Sequence, residues 1–210
     1  MNKAKNILLA ILLSFPLSLA AQLEDATVLL GNAIKKIEAD AAVLMAFDYT
    51  VTSPDGSLIG GGDGSFKLDG NKYSLLLDAM KLWCDGTTQW SYMAQVDEVY
   101  IAHADSDEAR VYNPAYLMGL YRDGYKCSLT RNGGKVLVDM VAGSVDQDID
   151  KVRLVIDLET LRPLSMTVSM NGQASVDVII KNYKPNCNFD NRVYMCPMED
   201  FPTAEIVDMR

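Results

Sequence analysis

Few side chains in this 210-residue sequence are of the kinds that do covalent or acid–base chemistry, and their spacing argues against most of it. His103 is the one histidine. Lying on or just after a strand, it reads as structural, with no second imidazole to share a metal. The cysteines fall at 84, 127, 187 and 196, with no C-x-x-C and no zinc-site spacing. Cys187 and Cys196 flank NFDNRVYM, so either a Cys187–Cys196 bridge closes that loop or all four thiols stay reduced. The acidic runs DSDE (105–108) and DQDID (146–150) lack the ligand spacing of a calcium loop and read as solvated turns. Asp97 and Glu98 are adjacent, so on a strand they point to opposite faces and do not make a carboxylate pair. No Gly-x-Ser-x-Gly elbow or phosphate loop occurs. These observations predict no catalytic residue, no metal and no cofactor, and so a binding protein rather than an enzyme.

The first residues read as an address. Lys3 and Lys5 precede an apolar run from Ile7 to Leu19, and SLAAQ follows. This is the pattern of a cleaved export signal over residues 1–21, cut after Ala20 or Ala21. Its apolar run is short and broken by Ser14 and Pro16, unlike a membrane span. The remainder, 22–210, has the length of one domain. Two lysines and no acid leave with the leader, taking the formal net charge from −9 to −11. Such a surface repels nucleic acid and anionic headgroups. A soluble, monomeric periplasmic protein is expected.

Residues 23–42 carry a helical period, with Leu23, Ala26, Leu30, Ala33, Ile34, Ile37 and Ala41 on one face. From Val43 the period changes to two. Turns are predicted at Pro54-Asp55-Gly56, at Asp69-Gly70 or Gly70-Asn71, at Asp85-Gly86 and at Asn171-Gly172. The runs beginning at Val152, Leu164 and Val176 alternate cleanly and leave no room for helical crossovers, which predicts an antiparallel sheet with one apolar face. A second short helix is expected over 113–121, with Asn113 as N-cap and Pro114 in the first turn. Periodicity alone does not decide whether two helices over such a sheet leave a filled core or a cavity. Aromatic residues cluster in the first half, and the many methionines supply adaptable apolar surface.

A Gly-x-Phe strand (Gly64, Phe66) leads to Asp-Gly-x-x-x-Trp-x-Tyr (Asp85, Gly86, Trp90, Tyr92), and the segments NPAYLMGLY, KVRLVIDLETLRPLSMTVSMNGQ and FPTAEIVDMR follow in order. This ordered series resembles the LolA-like family of outer-membrane lipoprotein carrier proteins, the last three segments resembling the family's mid-chain helix, strand–turn–strand and C-terminal ending. The resemblance implies a mainly β (α+β) fold: an unclosed antiparallel β-barrel of about eleven strands, its concave apolar face covered by the N-terminal and mid-chain helices. It also implies a hydrophobic cavity for the acyl chains of lipoproteins. The implied partners are an inner-membrane ATP-driven release transporter and an acceptor at the outer membrane. The residues expected to face that cavity are Phe66, Leu68, Tyr73, Leu75, Leu77, Trp90, Tyr92, Val99 and Ile101, with Leu30, Ile34 and Ile37 from the first helix. The sequence departs from the family where better-studied members carry a lid-latching arginine. The corresponding position falls at or near Asp69, and no arginine lies between residues 43 and 109. Another lipid or glycolipid, an envelope-stress signal, or a structural role with a filled core are the alternatives.

Overall fold

The computed structural model describes residues 16–106, 110 and 112–210. Most of the predicted leader therefore lies outside the described residues. A first helix, α1 (Pro16–Ala39), runs through the expected cleavage region. It ends three residues earlier than its sequence period suggests, because Ala41 takes a positive φ of 51° and Ala42 already belongs to a strand. Ala26, Leu29, Leu30, Ala33, Ile34 and Ile37 form its buried stripe, while Val28, Lys35 and Glu38 face water.

The strands are β1 (Ala42–Thr52), β2 (Leu58–Asp69), β3 (Lys72–Leu76), β4 (Met80–Cys84), β5 (Thr88–Met93) and β6 (Glu98–His103), followed by the short helix α2 (Pro114–Gly119) and a 3-10 turn over Leu120–Arg122. Then come β7 (Lys126–Asn132), β8 (Lys135–Val141), β9 (Ile149–Asp157), β10 (Pro163–Met170), β11 (Ser175–Cys187) and, at the C-terminus, β12 (Glu205–Asp208). All twelve belong to one sheet, in the order β12-β6-β5-β4-β3-β2-β1-β11-β10-β9-β8-β7. The turns fall where Gly and Asn predict them. Gly70 and Gly172 adopt left-handed φ values of 59° and 64°, which a side chain would disfavour. Asp85 caps the β4–β5 turn, its carboxylate accepting from the Thr87 and Thr88 amides at 2.9 and 2.8 Å. One strand more than the expected eleven is present. It is β12, which pairs parallel to β6 and breaks the otherwise antiparallel pattern. A chain leaving β11 can reach β6 in that direction because residues 188–204 cross the outer face of the sheet first.

The sheet has to curl. Helix α1 packs on β7, yet Ile34 and Ile37 share a cavity wall with Leu68 of β2. Those strands stand six places apart, which in a flat sheet would separate them by roughly 28 Å. A helix about 10 Å across can touch both only if the sheet wraps around it. The result is an open barrel, with the core between its inner face and α1. Val136, Val138, Met140, Val152, Leu154 and Ile156 are at most 1% exposed there. The outer face of the same strands is polar, as in the bidentate Arg153–Asp139 pair at 2.7 and 3.0 Å.

Candidate functional site

Strand register sorts the expected site residues into two sets. Directly opposed residues share a face of the sheet. Met45 opposes Phe66, Val43 opposes Leu68, Phe66 opposes Leu75 and Leu68 opposes Tyr73. Tyr73 opposes Cys84, and Cys84 opposes Gln89. Phe66, Leu68, Tyr73, Leu75 and Leu77 thus belong to the inner face, where Leu30, Ile34 and Ile37 of α1 join them in one apolar cluster.

Trp90, Tyr92, Val99 and Ile101 do not join them. Trp83 opposes Trp90, Trp90 opposes Ile101 and Tyr92 opposes Val99. Trp83 immediately precedes the inner Cys84 and so points the other way. These four residues stand on the outer face, where the C-terminal segment covers that surface. The Phe201 ring lies 4.2 Å from that of Tyr92 and 5.8 Å from that of Trp83, between centroids. Lys81 lies over Phe201, and Lys67 over Phe189. The inner face of β5 carries Gln89 and Ser91 instead, so the apolar lining ends at β4. Tyr73 donates a hydrogen bond to Gln89 Oε1, and burial holds its phenol protonated well above the ordinary tyrosine range. Burial likewise raises the Cys84 thiol.

Sequence reasoning missed the contribution of β1. Met45 and Phe47 are buried in the inner face, and Tyr49 packs against it. The signal was present in AVLMAFDYTVT, whose odd-numbered residues Val43, Met45, Phe47, Tyr49 and Val51 are all large, but its even-numbered residues are partly apolar and blur the period. Gly64 explains how Phe47 fits. A Cβ at Gly64 would lie 2.3 Å from the Phe47 ring and 2.7 Å from Leu77 Cδ2, so both side chains rest directly on the β2 backbone.

Among the described residues, Phe66, Leu68 and Tyr73 of the inner face and Leu30, Ile34 and Ile37 of α1 are all buried. Two cavities are associated with the helices. One of about 170 Å³ lies between the C-terminal half of α1 and the β2–β3 turn, lined by Ile34, Ile37, Glu38, Leu68, Asn71 and Asn113. The other, about 210 Å³, is polar and sits beside α2 between Tyr116, Tyr125, Asp123 and Asp148. A space of about 150 Å³ admits a molecule the size of benzene, whereas ligand pockets span roughly 300–1,000 Å³. The inner-face side chains of β1 to β4 and those of α1 are packed into one buried cluster, and the 170 Å³ space, lined by polar as well as apolar residues, is too small for an acyl chain.

At the far end of α1, Asp40 is 3% exposed. Its carboxylate receives Lys36 Nζ on one oxygen and Arg162 on the other, with Nε at 3.2 Å and an Nη at 3.1 Å. Burial pushes this carboxyl up, but hydrogen bonds from Lys36 and Arg162 together outweigh it and hold it below the usual carboxylate range. The Arg162 guanidinium also stacks 4.6 Å from the Tyr183 ring centroid. At the position matched to the family's arginine, Asp69 meets Lys72 at 3.8 Å across the β2–β3 turn.

Cys187 and Cys196 are free thiols, as are Cys84 and Cys127, which is the reduced one of the two alternatives open from the sequence. Cys187 instead donates to the Lys184 carbonyl, and burial together with Glu199 and Asp200 pushes Cys196 up to about 11. His103 is exposed at the end of β6. Among the described residues no group of three or more His, Cys, Asp or Glu side chains is placed to hold a metal ion, and no helix is long and apolar enough to cross a membrane.

An open barrel with helices over an apolar inner face is the architecture of a binding or carrier domain. The family model described as outer membrane lipoprotein carrier protein LolA matches residues 23–173, and the chain belongs to that family. Solved structures similar to it include an uncharacterized conserved protein from Thermus thermophilus, at 12% identity and a TM-score of 0.49 over 85% of this chain and 98% of that one. A LolA superfamily protein from Nitrosomonas europaea aligns at 10% identity and a TM-score of 0.40 over 81% and 97%. A putative outer membrane lipoprotein-sorting protein domain from Vibrio parahaemolyticus aligns at 9% identity and 0.38 over 84% and 97%. No curated protein matches the chain.

Proposed function

We propose that this protein is an exported, non-enzymatic carrier that shelters the acyl chains of lipoproteins between α1 and the inner face of the sheet. It would collect its cargo from an inner-membrane ATP-driven transporter and pass it to an acceptor at the outer membrane. The observation that carries this reading is a continuous apolar wall from β1 to β4, roofed by one amphipathic helix, in a chain of the carrier family. Tails would lie along Met45, Phe47, Phe66, Leu68, Leu75 and Leu77, beneath Leu30, Ile34 and Ile37. Tyr73 and Gln89 mark where the lining turns polar. Because the wall and roof are in contact, loading requires α1 to lift. An acyl chain gains roughly 0.8 kcal/mol per buried methylene, enough over a full chain to compete with a single helix for one surface.

The packed interior favours a second reading, an interaction protein on the same scaffold whose core is never opened. Extraction of the protein from its native envelope followed by mass spectrometry separates the possibilities. Bound lipopeptide supports the carrier, and diacyl lipid alone supports a lipid-binding module. Failure of the delipidated protein to take up an apolar probe supports the filled core.

A further inference from the structure

The segment 188–204 is pinned to the outer face of the sheet at two places. Tyr194, which closes a 3-10 turn over Asn191–Tyr194, is wholly buried, with the Phe189 ring perpendicular to it at 6.3 Å and Lys72 over its face. Phe201, which follows a 3-10 turn over Met198–Asp200, packs on Tyr92 and Trp83. Between the two anchors runs Met195-Cys196-Pro197-Met198. A search for imidazoles, thiols and carboxylates passes over this stretch, because two of its three sulfurs are thioethers. Pro197, at φ −77° and ψ 79°, makes an inverse γ-turn in which the Met198 amide donates to the Cys196 carbonyl at 2.9 Å. The turn folds Met198 back beside Cys196, and the Met195 amide is tied to the Arg192 carbonyl at 3.2 Å.

Met195 and Met198 are 48% and 36% exposed, while Tyr194 and Phe201 do the covering of the sheet. The thiol between them differs from the other three. Cys84, Cys127 and Cys187 each donate to a backbone carbonyl, those of Asn71, Tyr125 and Lys184. Among the described residues the Cys196 sulfur has no such acceptor. Glu199 and Asp200 lie close enough to join burial in raising this thiol, so their field favours a cation beside it. One thiolate and two thioethers are soft donors, which select Cu(I). Zn²⁺ takes thiolate and imidazole in larger number, and Ca²⁺ and Mg²⁺ take oxygen. Each thioether arm has three rotatable bonds and a polarizable sulfur, so both can reach one centre from a fixed turn. We propose that Met195, Cys196 and Met198 bind one soft monovalent cation, Cu(I) or its analogue Ag(I), on the outer face of the barrel. On binding, a Cu–S bond forms, the Cys196 S–H bond breaks and its proton leaves to solvent, with no change of oxidation state. The site lies away from the inner face and stands independently of the carrier reading.

The test is an anaerobic titration of the mature protein, made without a histidine tag, against the coloured Cu(I)–bicinchoninate complex. The wild type should withdraw one equivalent of Cu(I), and Ag(I) should displace it. The double variant Met195→Leu/Met198→Leu conserves volume at two exposed positions and should keep the wild-type melting temperature. Its affinity should fall about 10–100-fold, the range for losing even a supporting partner of a metal site. Cys196→Ser should abolish withdrawal, and Cys187→Ser should leave it intact. X-ray absorption at the copper edge should show sulfur ligands alone. No withdrawal by the wild type would overturn the site. So would full withdrawal by the double leucine variant, loss in Cys187→Ser, displacement of Cu(I) by equimolar Zn²⁺, or nitrogen or oxygen in the coordination shell. Should Cys196→Ser fail to fold, the double leucine variant and the absorption spectrum decide.

Discussion

The substitutions Leu30→Ala and Ile34→Ala test whether α1 behaves as a lid at all. Its buried stripe holds Leu29, Leu30, Ile34 and Ile37, besides two alanines. At about 1.5–3 kcal/mol for each large aliphatic side chain, the four contribute about 6–12 kcal/mol to holding the helix down. A tail of about 15 methylenes would contribute about 12 kcal/mol on the same surface. Cargo and helix are therefore near balance, which is what loading and release both need. Removing one of these side chains costs about 2–5 kcal/mol, cavity included. Even the lower figure raises the population with α1 lifted about 30-fold. Hydrogen exchange with mass spectrometry reads this directly: α1 peptides should exchange tens of times faster, while β8 and β9 peptides keep the wild-type rate. If both sets of peptides accelerate by the same factor, helix and sheet open as one cooperative unit, there is no lid, and the loading route argued here is wrong.

Gly64→Ala should destabilise the fold by about 1–3 kcal/mol, because the new methyl meets the Phe47 ring. Thermal melts should show the loss, and Phe47→Leu in the same chain should recover part of it. Leu75→Glu should abolish probe uptake per folded molecule, whereas Phe201→Ala, on the outer face, should lower the melting temperature and leave uptake unchanged; equal loss of uptake would undo the assignment of faces. Asp40 has its folded pKa depressed. Its contribution is thus complete above the unfolded carboxyl pKa and fades as pH falls through the folded value. Acid titration should loosen α1 in the wild type more steeply than in Asp40→Asn, read as α1 exchange relative to that of β9. Cys84, buried, and Cys196, at about 11, should resist alkylation at pH 8 in the folded protein, with Cys187 reacting first. A Cys187–Cys196 disulfide in a non-reduced peptide map would contradict the free thiols.

The period-two runs and their turn residues were enough to place β1 to β6 and β9 to β11, because alternation and Gly or Asn at left-handed positions are local properties, whereas β7, β8 and β12 were not read from them. The runs were not enough to say which face of one hairpin continues which face of the next. Trp90, Tyr92, Val99 and Ile101 do share a face, as their alternation says. They miss the inner one because Cys84 pairs with Gln89, fixed by the Asp85–Thr87 turn. One residue more in that turn would set Trp90 opposite Cys84 and invert the whole strand. Parity carried through a turn is set by its hydrogen bonds, here the Asp85 cap, and hydrophobicity is blind to it. The bond between Asp40 and Arg162 is hidden for a different reason. Helix end and turn meet only after β10 and β11 have been laid between β9 and β1, and nothing within reach of either residue in sequence announces the other.

The filled interior and the membership of a carrier family are reconciled by asking what α1 touches. Its apolar stripe belongs to the same buried cluster as the wall of β1 to β4, so on the carrier reading the helix stands in for the cargo while the protein is empty. A permanently open hollow would expose that wall to water whenever no tail was bound, at about 25 cal/mol for each square ångström. An unloaded protein with such an exposed surface would be prone to associate with itself. A lid that fills the space removes that hazard, and the cost is that binding must displace a protein contact rather than enter a void. Affinity then depends on the difference between two similar apolar contacts. Substitutions in the stripe of α1 should therefore tune it as strongly as those in the wall beneath.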